Sequence, residues 1–386
     1  MPRVSEIDAA DVDAIVASVR TFVRDRVVPR ENEIEENDAI PADLRAAAID
    51  MGLFGYTLPV EFGGLGFSLT DDVRLAFELG WTTPAFRSMF GTNNGIAGQV
   101  LVNIGTRAQQ ETYLPRLVAG ETSCFCLTES EAGSDPSGMR TRAVRDGDSY
   151  VLSGSKRYIT NAASADLFVV FARTGEATEG TKGISVFLVE RDSPGLTVGQ
   201  HDRKMGQAGA WTSDVYLDDV RVPATALIGE VEGKGFAAAM RSLSRGRIHI
   251  AAVCVALASR ILDESVRHAA ITSQGGAPIA RFQLVQAMLA EMRTDIFAGR
   301  ATVLEAARLW DNEEDTRLAP AAAKLFCSEM VGRVADLGVQ VHGGAGYMRE
   351  TPVEHFYRDA RLFRIYEGTS EIQKLIIARE LLDGAT

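Results

Sequence analysis

Ser123-Cys-Phe-Cys-Leu-Thr128 marks a change of texture along the chain. Before it apolar residues recur at helical spacing, and from it onward short β-prone runs follow one another. The later runs are Tyr150 to Leu152, Leu167 to Ala172, Ile184 to Glu190 and Val215 to Val222, with Gly147-Asp148 and Ser193-Pro194-Gly195 as turns between them. No helix of useful length interrupts the runs, as a parallel sheet with crossovers would need, so this stretch predicts a compact antiparallel β-barrel.

Upstream, Ile15, Val19, Phe22, Val23 and Val27 form an apolar stripe at three- and four-residue steps. Pro29, Pro41, Gly52, Pro59 and Gly63-Gly64-Leu65-Gly66 punctuate this part as loops between short helices would. Downstream of Gly235 the helical pattern returns in segments near 235–270, 279–310, 317–341 and 369–382, which read as a four-helix bundle. The expected fold is therefore multi-domain, with α and β parts: an all-helical N-terminal domain over 1–122, the β-barrel over 123–228 and a C-terminal four-helix bundle over 229–386. Neither Gly63-Gly64-Leu65-Gly66 nor Gly343-Gly344-Ala345-Gly346 follows a buried strand, so no dinucleotide-binding βαβ unit is expected.

A chain of 386 residues exceeds the size at which one core stops growing, and 46% apolar with 24% charged residues lies in the globular range. A net charge of −12 disfavours a polyanion such as nucleic acid as main partner, while leaving room for a local basic pocket. The start, Met1-Pro-Arg-Val-Ser-Glu-Ile-Asp8, carries acids where a signal peptide needs a basic segment and an apolar core. No run of about 18 apolar residues occurs. The expectation is a cytoplasmic protein without a membrane span.

Four cysteines, Cys124, Cys126, Cys254 and Cys327, are too few and too scattered for a disulfide framework. Cys124 and Cys126 are read as pointing to opposite faces of a strand, a spacing that suits packing better than metal. The five histidines form no paired-ligand pattern, and no metal is expected.

Two stretches carry chemistry. A strand ending at Thr128, followed by Ala132-Gly-Ser-Asp135 and later by Gly154-Ser-Lys-Arg-Tyr-Ile-Thr-Asn161, offers hydroxyls and exposed amides to a ligand, although an ordinary strand and turn would look similar. Tyr366-Glu-Gly-Thr-Ser-Glu371 precedes the last helix, which Thr369 or Ser370 would cap. That leaves Glu367 on a loop, either as a solvated acid or, enclosed by Ile365, Tyr366 and Gly368, as a desolvated base.

Together these stretches resemble the acyl-CoA dehydrogenase family, from about residue 11 to the last helix. The signatures are Leu127-Thr-Glu-Ser-Glu-Ala-Gly-Ser-Asp135, Gly154 to Asn161, Gln340-Val-His-Gly-Gly344, and Arg358-Asp-Ala-Arg followed by Ile365-Tyr-Glu-Gly-Thr-Ser-Glu-Ile-Gln373. The resemblance implies FAD where barrel and bundle meet, a homotetramer built as a dimer of dimers, and an acyl-CoA substrate of fatty or branched acyl metabolism. It also implies an electron-transfer flavoprotein as acceptor. Glu367 is the implied catalytic base, removing the α-proton while the β-hydride goes to flavin N5.

By the same resemblance, Phe125, Cys126, Leu127 and Thr128 lie along the flavin, Tyr158 covers it, and Ile159 and Thr160 line it. Ser134 meets a phosphate or the CoA chain. Gln283, Gln340, Gly343 and Gly344 match the grip on a neighbouring subunit's FAD, and Thr369 and Glu371 match contacts further along the cofactor. Tyr366, Gly368 and Arg247 fall on the substrate side, Arg247 being equally readable as a helix-end charge. Met89, Phe90 and Asn93 are expected near the base of the pocket.

Two departures stand out. An Arg and a Phe that the family commonly places before the Gly-x-Pro-Ile turn read here as Thr272 and Gly275, which implies weaker FAD retention or a compensating cation. A helix position from which some members draw their base is Gly246, which leaves Glu367 as the one carboxylate at a family base position. An acyl-CoA oxidase is the nearest rival, though such enzymes are typically longer. Monooxygenase or nitroalkane oxidase readings conflict with the loop Glu, and a DNA-binding relative conflicts with the acidic balance.

Overall fold

The computed structural model describes residues 3–383; Met1, Pro2 and residues 384–386, the outer ends of the first and last expected domains, lie outside them. Helices α1 (Ala9–Phe22), α2 (Glu31–Asn37), α3 (Ala42–Asp50), α4 (Leu69–Leu79), α5 (Pro84–Gly95), α6 (Ala97–Ile104) and α7 (Arg107–Val118) make the first part. The stripe on α1 buries Val12, Val16 and Val19 and continues through Val23 and Val27 on a wider π-helical turn. Ile15 and Phe22 pack at its margin. Side-chain caps stop the helices from fraying: Ser68 accepts from the Asp71 N–H, and Thr106 forms a capping box with Gln109.

Seven strands follow: β1 (Ser123–Cys126), β2 (Arg142–Asp146), β3 (Ser149–Thr160), β4 (Leu167–Arg173), β5 (Ile184–Glu190), β6 (Leu196–His201) and β7 (Thr212–Pro223). They form one curled sheet in the order β1-β4-β2-β3-β7-β6, with β5 also paired to β4. Gly147 (φ +61°) and Asp148 make the tight turn between β2 and β3, as their sequence suggests.

Most ladders are antiparallel, but β1 runs parallel to β4, and β2 touches β4 in parallel at Arg142 and Arg173. A parallel partner needs a crossover of a dozen residues or more, usually a helix. Here residues 127–166 supply it with the β2–β3 hairpin, which is why the absence of helices concealed it.

The cysteine reading is corrected. Residues two apart on a strand share a face, and Cys124 and Cys126 both point into the sheet's interior with sulfurs 3.5 Å apart. Phe125 and Leu127 face the other way, toward the helices.

The last part holds α8 (Gly235–Ile271), a small hairpin of β8 (Ser273–Gln274) and β9 (Ala277–Pro278), then α9 (Gln283–Asp311), α10 (Leu318–His342), α11 (Pro352–Ala360) and α12 (Ser370–Asp383). At 37 residues α8 is about 55 Å long. Its middle is wholly buried against α4, α9 and α10. The four long segments match those expected, and α11, with Val353 and Phe356 buried in the same core, is an addition. Among the described residues no helix is long and apolar enough to cross a membrane.

Candidate active site

A cavity of about 670 Å³ opens where the rim of the sheet meets α5, the first half of α8 and the loop before α12. Ile96, Phe236, Met240 and Leu243 give it apolar walls. Arg87, Lys204, Arg247, Arg317 and Arg379 also face it, against the acids Asp135 and Glu367. A protein of net charge −12 thus keeps a locally basic cleft, which favours anionic ligands.

The rim is fixed from below. Lys156, fully buried, pairs with Glu129 at 2.7 Å and donates to the Leu127 carbonyl at 3.3 Å. Glu129 also accepts from the Arg140 and Thr141 N–H groups. These bonds tie down the strand end that carries Leu127 and Thr128. Opposite it, β3 slips register against β7 between Lys156 and Ile159, and Tyr158 takes φ +58°. The bulge turns the Tyr158 ring out over the cleft, where it is 59% exposed. Asn161 then bonds the Ser88 carbonyl and the Thr92 hydroxyl, fastening β3 to α5.

Glu367 sits in left-handed backbone at φ +53°, followed by Gly368 at φ +90°. Three donors hold this strained turn: Lys324 Nζ to Gly368 O at 2.6 Å, Gln373 Nε2 to Glu367 O at 3.2 Å, and Arg247 Nε to Glu367 O at 3.4 Å. The Thr369 hydroxyl accepts from the Ile372 N–H and starts α12. The Glu367 side chain borders the cavity while its Oε2 is buried with no hydrogen-bond partner among the described residues. Burial pushes this carboxyl above its ordinary value, against the pull of Arg87, Lys324 and Arg247. An enclosed carboxylate with a free oxygen and a raised proton affinity is built to take a proton.

Of the residues expected from the sequence, Phe125, Leu127, Thr128, Ser134, Tyr158, Ile159, Thr160, Arg247, Tyr366, Glu367 and Gly368 line this one cavity. Cys126 lies on the strand but turns its side chain inward. Thr369 and Glu371 stand beside the cavity on the α12 cap, Glu371 exposed. Gln283, Gln340, Gly343 and Gly344 are exposed and gather elsewhere, at the end of the bundle where Ile279 packs on Val341. Met89, Phe90 and Asn93 are corrected: they lie on the other faces of α5, Phe90 in the helical core and Asn93 bonded to Ser123. Helical spacing sends Arg87, Ser88, Gly91 and Thr92 to the cavity instead.

Arg87 and Lys324 were not foreseen. Each is a lone charge in an apolar helical stretch, Ala85-Phe-Arg-Ser-Met-Phe90 and Ala321-Ala-Ala-Lys-Leu-Phe326, and that misfit is the signal that marks them.

The chain matches three family regions in order: acyl-CoA dehydrogenase N-terminal domain over 9–121, middle domain over 124–220 and C-terminal domain over 233–382. Acryloyl-CoA reductase (NADH) of Anaerotignum propionicum is 40% identical, covering 94% of this chain and 92% of that one. A probable acyl-CoA dehydrogenase of Bacillus subtilis is 39% identical over 94% and 96%. The structure of butyryl-CoA dehydrogenase from Megasphaera elsdenii superimposes with TM-score 0.93 at 32% identity, over 98% and 100% of the two chains. With this likeness spanning all three parts of the fold and the enclosed Glu367 at their junction, the chain belongs to the acyl-CoA dehydrogenase family.

Proposed function

We propose that the protein converts an acyl-CoA to its α,β-enoyl thioester, with Glu367 as the base that takes the α-proton. The observation that carries this is the buried, unpartnered Oε2 of Glu367 at the border of a cavity with apolar walls and a basic lining. A carboxylate of pKa near 4.3 in water is too weak for such a C–H, so raised proton affinity and stabilisation of the developing enolate are both required. For the second, the Glu367 N–H is not among the hydrogen-bond donors to protein acceptors in the described residues, which leaves it open to the thioester oxygen.

FAD is the cofactor, and when bound it supplies the acceptor for the β-hydride. The residues present suit it: an exposed Tyr158 ring overhangs a lane formed by Leu127, Thr128, Ile159 and Thr160, and the basic mouth suits a pyrophosphate. At the bundle end, Gln283, Gln340, Gly343 and Gly344 are open, and Leu284 and Phe297 along α9 are 81% and 70% exposed. This supports a homotetramer in which that surface grips a neighbour's FAD. An electron-transfer flavoprotein is the proposed acceptor. Relatives named as reductases use the same fold, so the direction follows from the redox partner rather than from Glu367.

The test is anaerobic bleaching of the flavin band across an acyl-CoA panel, with dye reduction compared against peroxide release. A colourless protein that FAD cannot reconstitute overturns the reading, and peroxide as the main product turns it into an oxidase.

A further inference from the structure

We infer that the acyl group taken by this site ends in a carboxylate held by Arg87, an inference that rests on the acyl-CoA reading above. Arg87 lines the cavity from α5 and is 7% exposed. Its Nε donates to His249 Nε2 at 2.8 Å, and His249 Nδ1 stands 2.7 Å from Asp72 Oδ1. Asp72 is already committed to Arg245 at 2.9 Å and to the Tyr56 hydroxyl at 3.0 Å. The His249 ring, held below its ordinary proton affinity by burial, is a neutral spacer between the two cations. Arg87 therefore touches no carboxylate among the described residues, and only one of its five N–H donors is used within the protein.

The helix is shaped around that guanidinium. Gly91 and Gly95 follow Arg87 at one and two turns, on the same face. A Cβ on Gly91 would stand 2.8 Å from the Arg87 Cζ, while a Cβ on Gly95 would meet nothing within 4 Å but an Arg87 amino group at 3.9 Å. Larger residues at either site would crowd the guanidinium. The other polar groups on this wall are spoken for: the Ser88 hydroxyl donates to the Pro84 carbonyl and the Thr92 hydroxyl to the Ser123 carbonyl. Arg87 is thus the charged donor of the wall; its charge acts on Glu367 without an ion pair between them among the described residues, so its free N–H donors remain for an anion.

A planar fork of N–H groups matches a carboxylate two bonds at a time. The phosphates of CoA have cations elsewhere: the exposed Arg379, and Arg317, which is 65% exposed in its side chain and paired with Glu380 at 2.8 Å, line the cavity and suit its open mouth. In the same cavity the apolar walls of Ile96, Phe236, Met240 and Leu243 suit methylenes. A dicarboxylic acyl thioester satisfies both: apolar chain along the walls, carboxylate on Arg87.

The experiment compares succinyl-, glutaryl- and adipyl-CoA with butyryl-, valeryl- and hexanoyl-CoA in flavin reduction by the wild-type holoenzyme. It also measures binding of the unreduced products glutaconyl-CoA and pent-2-enoyl-CoA by calorimetry. The expected result is a preference of roughly 10- to 100-fold for the diacid series, and tighter binding of glutaconyl-CoA. Arg87→Met reverses the preference, and Arg87→Lys keeps part of it. A wild-type enzyme that prefers the monoacid series, or binds both products equally, overturns the inference without any variant. Glutaconyl-CoA held through Arg87 with no flavin reduction by any thioester would uphold the pairing and overturn the dehydrogenase reading instead.

Discussion

A Cβ placed on Gly246 would stand 2.5 Å from Oε2 of Glu367. The middle of α8 passes directly behind the loop base, and the missing side chain is what lets the carboxylate lie against the helix. A carboxylate grown from position 246 would fill the same space, so helix and loop are alternative places from which to present one carboxylate. In Gly246→Ala the clash is with the far end of a flexible side chain, which yields by swinging away. The helix itself gains about 1 kcal/mol from Ala over Gly. We therefore expect the thermal midpoint to hold or rise while flavin reduction slows at least about tenfold, as misplacement of a reacting group does. A rate equal to wild type would show that Glu367 tolerates displacement.

Glu367→Gln keeps size and shape but removes the proton acceptor. FAD and thioester binding should persist while flavin reduction falls by about 10²–10⁴, the usual range for a lost general base. Rapid-reaction absorbance with binding measured separately separates the two effects. Near wild-type reduction would falsify the assignment of the base, and loss of FAD would make Glu367 structural.

The sequence carries the order of helices, sheet and helices because each part keeps one hydrophobic period over many residues. It carries Glu367 because Gly368 and the Thr369 cap place the acid on a loop. What stayed hidden depends on partners distant in the chain. The parallel pairing of β1 with β4 has no local signature when its crossover is a hairpin. Which face of α5 meets the cavity is set by Asn161 and Ser123, which bond Thr92 and Asn93 from the sheet, and residues 85–93 are apolar enough to allow another rotation. The Thr272 and Gly275 departure gains a physical setting: Gly275 and Gly276 both have positive φ, forming the two-residue turn of the β8–β9 hairpin. A Phe at 275 would be strained there.

The pH dependence of flavin reduction follows from the raised proton affinity of Glu367. Its base form is the carboxylate, so the rate should fall as pH drops through a value above the ordinary 4.5. Arg87 from α5, Arg247 from α8 and Lys324 from α10 oppose the shift but do not cancel it. Stability runs the other way. The folded state binds this proton more tightly than the unfolded chain, so stability declines as pH rises from 4.5 through the raised value. Thermal unfolding of wild type and Glu367→Gln across this window should differ in slope, and identical slopes would contradict the shift.

Lys324 is the last test, because its charge and its hydrogen bond act on the same loop. It is fully buried on α10 and donates to the Gly368 carbonyl at 2.6 Å, with Gln373 Nε2 as the second donor at 3.0 Å. Burial lowers its pKa from 10.5 to about 8, with Glu367 among the groups that resist the shift. The folded protein holds this proton more weakly than the unfolded chain, so stability should rise with pH between about 8 and 10.5, and the cost of the buried charge is present in full below about 8. Lys324→Met abolishes that rise and removes the cost, so the variant should fold at least as well at neutral pH. It nonetheless loses the donor that, with Gln373, holds the left-handed turn, and we expect flavin reduction to slow by about 10- to 100-fold with thioester affinity retained. Losing a cation near Glu367 also moves the acid limb of the rate profile upward. A purely structural lysine would shift neither that limb nor the ratio of reduction rate to affinity, so an unmoved limb with an unchanged rate would remove Lys324 from the machinery that positions the base.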